Sequence, residues 1–547
     1  MKPGHRNAIA PIAALVVAAG TVAVVAPTWR KGSASVDTAR IISADSEPGS
    51  WLSHGRTYDE QRYSPLDQIN ETTVSRLGLA WYYSYGGTHG LEGTPLVADG
   101  VLYSTGPWSV AVALDAKTGK LLWRYDPGVP RTWAGQVCCD VMSRDPAVYQ
   151  GKVIIATLDG RLIGLDAKSG QKIWETLAVD NRKWPQPVIG APCVFNGKVV
   201  IGIGGAGPGV RGNVSAYDVN NGRLVWRFWT VPGDPADGAP RDLLVYDPEF
   251  NRLYVGVGSG APWPQELRSE GNARDPFQAS IVAVNADTGQ YVWHQQIVSG
   301  ESRDVTATMP VMLADLAIGG RNRKVLMEAS SNGFFYVIGR IDGKLISADR
   351  LVPNNPAHHI VGAHSWQPMS YNPNTGLVYL PVLESGSIHE QQNHYLPRPL
   401  PMIRGASVPP SDATVRAAQR ARTGSGWLVA WDPLRQQEAW RVQYGSRGGG
   451  GTLSTAGNLV LQGDDEEQLV AYRATDGRKL WSTRIQTDAM AAPITYSIDH
   501  EQYIAVNAGT GAPGNTAAAR SGGRLLVFKL GAVGQRIART SPGGIRE

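Results

Sequence analysis

One phrase recurs along the chain and limits what it can fold into: an apolar run, a turn built on Asp with Gly four residues on, and Trp eight residues after the Asp position. It reads VALDAKTGKLLW up to Trp123, IGLDAKSGQKIW up to Trp174, SAYDVNNGRLVW up to Trp226 and VAVNADTGQYVW up to Trp293. Two further copies, VAWDPLRQQEAW and VAYRATDGRKLW, end at Trp440 and Trp481. Gly119, Gly170 and Gly222 follow one another at intervals of 51 and 52 residues, a period that marks stacked copies of one supersecondary unit. A degenerate copy with Ser347 at the Trp position, and Trp81 in LGLAWYY, bring the stations to eight. An independent motif of apolar run, small turn and apolar run also has eight copies, from TPLVADGVLYSTG to APITYSIDHEQYIAVNAGTG. Short β-rich runs split by Asp-Gly, Asn-Gly and Gly-Lys read as hairpins, and the helical apolar period is missing from nearly all of the repeat. Four strands in each of eight units predict an all-β fold, an eight-bladed β-propeller. The run Arg524–Leu530 has no turn or Trp after it, so it is expected to join the N-terminal blade and close the ring, which removes exposed sheet edges.

The repeat occupies residues 78–530, and repeat architecture overrides the length rule that would divide 547 residues into several domains. Residues 35–77 are expected to form an irregular lead-in packed on the ring, with a short helix capped near Asn70. Residues 385–425, rich in Pro and Arg, interrupt the sixth unit as a surface insertion, and 531–547 form a disordered tail. Residues 1–34 stand apart: Lys2, His5 and Arg6 lead an apolar run over 8–26. That is an export signal, with an uncleaved membrane anchor as the alternative, since the run approaches the roughly 20 residues that span a bilayer. Either way the ring lies in the periplasm or otherwise outside the cytoplasm. The net charge of +5 is small for this length, and no basic stripe with interleaved aromatics occurs, so nucleic acid is not an expected partner.

Of three cysteines, two are adjacent, Cys138 and Cys139. Two buried thiols are the plain reading of such a pair, whereas an oxidising compartment favours a vicinal disulfide, leaving Cys193 unpaired. No Cys-x-x-Cys-His occurs, so the sequence carries no covalent haem site. The repeated Trp residues read as packing between blades.

The Cys138-Cys139 pair followed by Asp140 and Arg144, Glu92 in LEGTPLVADGVLY, the VRGNVSAYD and RFWTVPGDP runs, NGFFYV in the fifth unit and the closing GRLLVFKL together resemble the quinoprotein alcohol dehydrogenases. The resemblance covers nearly everything from Trp51 to Leu530. It implies pyrroloquinoline quinone on the ring axis, between a vicinal disulfide and a Trp and beside a Ca²⁺ or lanthanide ion, with an Asp as general base toward an alcohol. It also implies a cytochrome as electron acceptor. Carried over to this sequence, Cys138 and Cys139 would cover the quinone, Arg144 would hold its carboxylates, Glu92 would bond its acid edge, and Asp304 would be both the base and a metal ligand.

Other positions depart from the family. Gly207 and Ser259 stand where the family has its metal-ligating Glu and Asn, Arg241 where it has the floor Trp, and Ser331 where a Lys or Arg reaches the quinone. Ile189, Gly448, Gly449 and Thr510 replace further cofactor contacts, and Thr306 replaces the second Asp of lanthanide sites. A hard divalent cation seeks six to eight oxygen ligands, so Ca²⁺ binding is expected to be weak, with Arg241 and Arg303 supplying positive charge beside the quinone in its place. The reading is an exported quinone-dependent dehydrogenase of an alcohol or related small molecule, with a diverged site. The alternatives are a non-redox enzyme acting on an anionic small molecule through Asp304 and Glu301, and a cofactor-free binding propeller.

Overall fold

The computed structural model of the chain describes residues 1, 34–86, 89–135, 141, 144–179, 188, 190–203, 212–230, 240–258, 277–297, 310–352, 363–385, 424–445, 449–464, 466–485, 491–509 and 522–533. Within them lie eight antiparallel sheets of four strands, one of which gains a fifth, parallel strand. Blade 1 is built from Leu96–Ala98, Val101–Thr105, Ala111–Asp115 and Leu121–Tyr125, and blade 2 from Ala147–Tyr149, Lys152–Ala156, Arg161–Asp166 and Lys172–Leu177. The pattern repeats through blade 7, Thr452–Thr455 to Lys479–Arg484. The fold is the expected all-β, eight-bladed propeller.

The repeated phrase explains why each blade forms and how it meets the next. Asp115 accepts the backbone N–H groups of Lys117 and Thr118 at 3.2 and 3.0 Å, so its carboxylate closes the turn that the chain must make before the outermost strand. Gly119 completes that turn with φ +74°, a conformation that costs L-residues with a Cβ. Its missing Cβ also leaves room for a neighbour: a Cβ there would lie 2.5 Å from the ring of Trp81 in the adjoining blade. The same contact joins Gly170 to Trp123, Gly222 to Trp174, Gly289 to Trp226, Gly343 to Trp293 and Gly477 to Trp440. The indole N–H groups of Trp123, Trp174 and Trp440 then donate to main-chain carbonyls of the next blade, at Ala167 (2.9 Å), Val219 (2.9 Å) and Ala474 (3.0 Å), whereas that of Trp81 has no partner among the described residues. Those three Trp are thus apolar against the glycine face and satisfied at their polar end.

Ring closure follows the C-terminal strand. Arg524–Leu530 lies between Glu501–Ala508 and Leu77–Ser84, pairing antiparallel with both, so blade 8 takes its outermost strand from the beginning of the ring. The lead-in is more ordered than its composition suggests. It opens on a short helix, Thr38–Ile42, capped by the Asp37 carboxylate, and adds the strand Tyr63–Ser64 in parallel to blade 7. Asn70 does cap a turn, accepting from Thr72 and Thr73, but only a single 3₁₀ turn, Val74–Arg76, fits before strand pairing begins at Leu77. Arg62 is fully buried, and its guanidinium donates to the carbonyls of His54 (2.6 Å), Thr452 (3.2 Å) and Pro493 (2.9 Å). Burial draws its pKa down to about 10.

No helix among the described residues is long and apolar enough to cross a membrane. Residues 8–26, most of the insertion expected over 385–425 and the tail from 534 lie outside the described residues, while Ser385 and Gly424 with Ser425 belong to the strands Leu377–Ser385 and Gly424–Asp432.

Two glycine substitutions separate backbone strain from blade docking. Gly376 has φ +70° and nothing within 4 Å of a Cβ, whereas Gly170 has φ +72° and a Cβ 2.7 Å from Trp123. We expect Gly376→Ala to cost about 1 kcal/mol, the left-handed strain alone, and Gly170→Ala roughly 1–3 kcal/mol more from forced repacking, read from urea unfolding.

Candidate functional site

Two of the residues singled out in the sequence are brought together by neighbouring blades. Glu92 precedes the innermost strand of blade 1 and Arg144 that of blade 2, and the Arg144 Nε lies 3.5 Å from the Glu92 carboxylate. Both side chains are largely buried, each 14% exposed. The Arg144 guanidinium also lies over the ring of Trp366, 4.7 Å from its centroid, a cation–π contact that gains strength away from water. Trp366 leads into blade 6, so three blades converge on one cation.

The backbone on either side is anchored. The hydroxyl of Thr105 in blade 1 donates to the Arg144 carbonyl. The Asn507 amide of blade 8 donates to the Gly93 carbonyl at 2.6 Å and to Ser104 Oγ at 3.0 Å. Leu91 N–H donates to the Gly509 carbonyl at 3.4 Å. Behind the pair, the carboxylate of Asp145 accepts the N–H of Thr94, and its other oxygen lies 3.2 Å from His54 Nε2. His54 Nδ1 lies 2.6 Å from the Glu60 carboxylate. Burial pushes the Asp145 carboxyl up, against the opposing pull of His54, the Thr94 N–H, Arg62 and Arg144.

A second buried acid sits in blade 5. Glu328, one residue from the end of Arg321–Ala329, has no exposure, and neither carboxyl oxygen has a hydrogen-bond partner among the described residues. Burial alone pushes its pKa to about 8. In blades 7 and 8 the same register, one residue before the end of the second strand, carries Gln462 and Asn507, whose amides donate to the Gly450 and Gly93 carbonyls. A protonated carboxyl is the neutral counterpart of those amides. The hydroxyls of Ser330 and Ser331 nearby are buried and also lack partners among the described residues. His364 is buried too, its Nδ1–H donating to the Pro381 carbonyl at 2.8 Å, and burial lowers its pKa to about 4.

Cys138, Cys139, Arg303 and Asp304 lie outside the described residues, as do Gly207, Ser259, Ile189, Thr306, Gly448 and Thr510. Arg241 lies in the strand Pro240–Asp247, and its side chain is outside the description. Cys193 is a free thiol at the start of blade 3. Among the described residues no three His, Cys, Asp or Glu side chains gather where they could hold a metal ion. His54 precedes the repeat, and Asp145 and Trp366 border the innermost strands of blades 2 and 6 without belonging to the Trp-docking phrase, so the sequence sets none of the three apart. The one available sign was the position of Asp145 directly after Arg144.

An arginine held against a carboxylate and an indole face suits a planar, anionic guest, because guanidinium pairs with carboxylates and stacks on flat rings. Such a pair in an eight-bladed ring with Trp-docked blades defines a quinoprotein-type propeller. A model for pyrroloquinoline-quinone proteins, described as "Glucose/ethanol/alcohol dehydrogenase, beta-propeller domain", matches residues 51–357 and 418–504. The chain is 44% identical to the quinohemoprotein alcohol dehydrogenase ADH-IIG of Pseudomonas putida, over 95% of this chain and 81% of that protein. It is 38% identical to the 1-butanol dehydrogenase (cytochrome c) of Thauera butanivorans, over 88% of this chain and 78% of that protein. The crystal structure of the quinohemoprotein alcohol dehydrogenase of Comamonas testosteroni superimposes with a TM-score of 0.83 at 38% identity, covering 94% of this chain and 84% of that one. The chain belongs to the pyrroloquinoline-quinone-dependent alcohol dehydrogenase family and is an oxidoreductase of that class.

Glu328 makes a pH-dependent prediction. The folded protein holds this carboxyl protonated up to about pH 8, whereas its ordinary value is 4.5. The folded state therefore binds the extra proton between those values, and stability contributed by this group falls as pH rises through that window. Glu328→Gln should remove this component of the slope and raise stability at pH 8 by roughly 1–3 kcal/mol, measured by urea unfolding at pH 5 and pH 8. An unchanged slope would mean that Glu328 does not hold its proton.

Proposed function

We propose that the chain is an exported, quinone-dependent dehydrogenase that oxidises an alcohol or a related small molecule and passes the electrons to a separate acceptor such as a cytochrome. The observation that carries this reading is the Glu92–Arg144 pair on Trp366, which fits the carboxylates of pyrroloquinoline quinone. When bound, the quinone would supply the electron acceptor that side chains cannot. Arg144 would hold its carboxylates, Glu92 would bond its acid edge, and Cys138 with Cys139 would cover one face. Asp304 would take the substrate hydroxyl proton as general base. The alcohol-dehydrogenase names of the relatives favour an alcohol, and the Thauera butanivorans protein, named for cytochrome c, favours that class of acceptor. The basic and apolar start of the sequence supports export to the periplasm, with residues 8–26 as signal or anchor.

The metal is where the chain departs from its family. With Gly207 and Ser259 at two ligand positions, Asp304 is the one firm carboxylate in the carried-over set, and a hard cation held by so few oxygens binds weakly. Arg241 and Arg303 supply fixed positive charge instead, and an arginine is no Lewis acid. Calorimetry should therefore detect no micromolar Ca²⁺ binding in the parent chain, and Gly207→Glu combined with Ser259→Asn should introduce it. Micromolar affinity in the parent, abolished by Asp304→Ala, would contradict this.

The activity itself is tested by loading the full chain with the quinone and following reduction of a one-electron dye on addition of primary alcohols. Asp304→Asn should lower kcat by at least about a hundredfold, the usual contribution of a general base. Arg303→Ala should act mainly on KM. Turnover unaffected by the Asp304 change would rule that residue out as the base.

A further inference from the structure

We infer that Asp145, supported from behind by His54, is a positioning residue for the quinone site and fixes the spacing of Glu92 and Arg144. The inference rests on the quinone reading above. Glu92 and Arg144 belong to different blades, and their own contact, at 3.5 Å, is too long to define that spacing. Asp145 supplies the link. It follows Arg144 in the chain, and its carboxylate accepts the N–H of Thr94, two residues beyond Glu92. One side chain thus joins the two segments directly behind the residues that face the guest.

Asp145 is in turn backed by the lead-in. His54 Nε2 lies 3.2 Å from the free end of the carboxylate, out of line for a hydrogen bond, while Nδ1 reaches Glu60 at 2.6 Å. The His54 carbonyl accepts from the buried Arg62 at 2.6 Å, and the same guanidinium nitrogen lies 3.4 Å from Thr94 Oγ1. Arg62 also lies over the ring of Trp51, 5.4 Å from its centroid. The segment from Trp51 to Arg62 therefore acts as a wedge behind the cofactor residues, which it meets at Asp145 and at Thr94. Asp145 is 4% exposed, and burying a carboxylate is costly unless its bonds return something. Here they return a fixed geometry, on which pre-organised recognition depends.

The test is binding of pyrroloquinoline quinone to the full chain, measured by equilibrium dialysis with thermal unfolding alongside. Asp145→Ala should weaken binding at least tenfold. Asp145→Asn should stay within threefold of the parent, because the amide oxygen still accepts the Thr94 N–H. His54→Ala keeps that bond, removes the support, and should weaken binding at least threefold; it also decides the matter should Asp145→Ala fail to fold. Parent-like affinity in either alanine variant would overturn the inference. So would an Asp145→Asn variant as weak as Asp145→Ala, since charge rather than position would then be responsible. Failure of the parent itself to bind would refute the quinone reading, and this inference with it.

Discussion

A ring of sheets survives only if its two ends are tied, and here a single strand, Arg524–Leu530, does the tying by pairing with Leu77–Ser84 on one side and Glu501–Ala508 on the other. Everything upstream depends on that seam. Were it open, blade 8 would present a bare edge to pairing with other chains, and the segment carrying Glu92 would lose its anchors from Asn507 and Gly509. Arg62 ties the lead-in to the neighbouring blades, satisfied by carbonyls from the lead-in, blade 7 and the segment entering blade 8. A buried guanidinium is tolerable only when its donors are met.

Much of the fold was legible because its chemistry is local and repeated. An Asp that closes its own turn, a Gly with positive φ and a Trp eight residues after the Asp can all be recognised without knowing what lies across the interface. The degenerate fifth unit illustrates the limit of that reading. Ser347 replaces its Trp, yet Phe334–Gly339 and Leu345–Arg350 still pair, because strand hydrogen bonds do not require the docking residue. The lead-in was harder to foresee: its short helix and parallel strand are imposed by partners such as blade 7 rather than by its own periodicity.

The site divides along the same line. Glu92 and Arg144 were legible through family resemblance, and the fold brings them together. Trp366, Asp145 and His54 act through contacts between segments far apart in sequence, and, the place of Asp145 beside Arg144 apart, nothing in their local spelling marks them. Glu328 is a different case, since its residue type was visible but its isolation was not. A glutamate in a strand reads as solvated until the fold shows it buried and unpartnered among the described residues. Function on a widely shared fold resides in such details.

The central claim is that the arginine between Glu92 and Trp366 receives the carboxylates of pyrroloquinoline quinone. An absorbance titration of the full chain with the quinone tests it most directly. We expect one equivalent to saturate the protein, the bound chromophore to change on addition of alcohol, and Arg144→Ala to raise Kd at least tenfold while leaving the chain folded. Absence of saturable binding in the parent, or equal affinity in Arg144→Ala, would contradict the account.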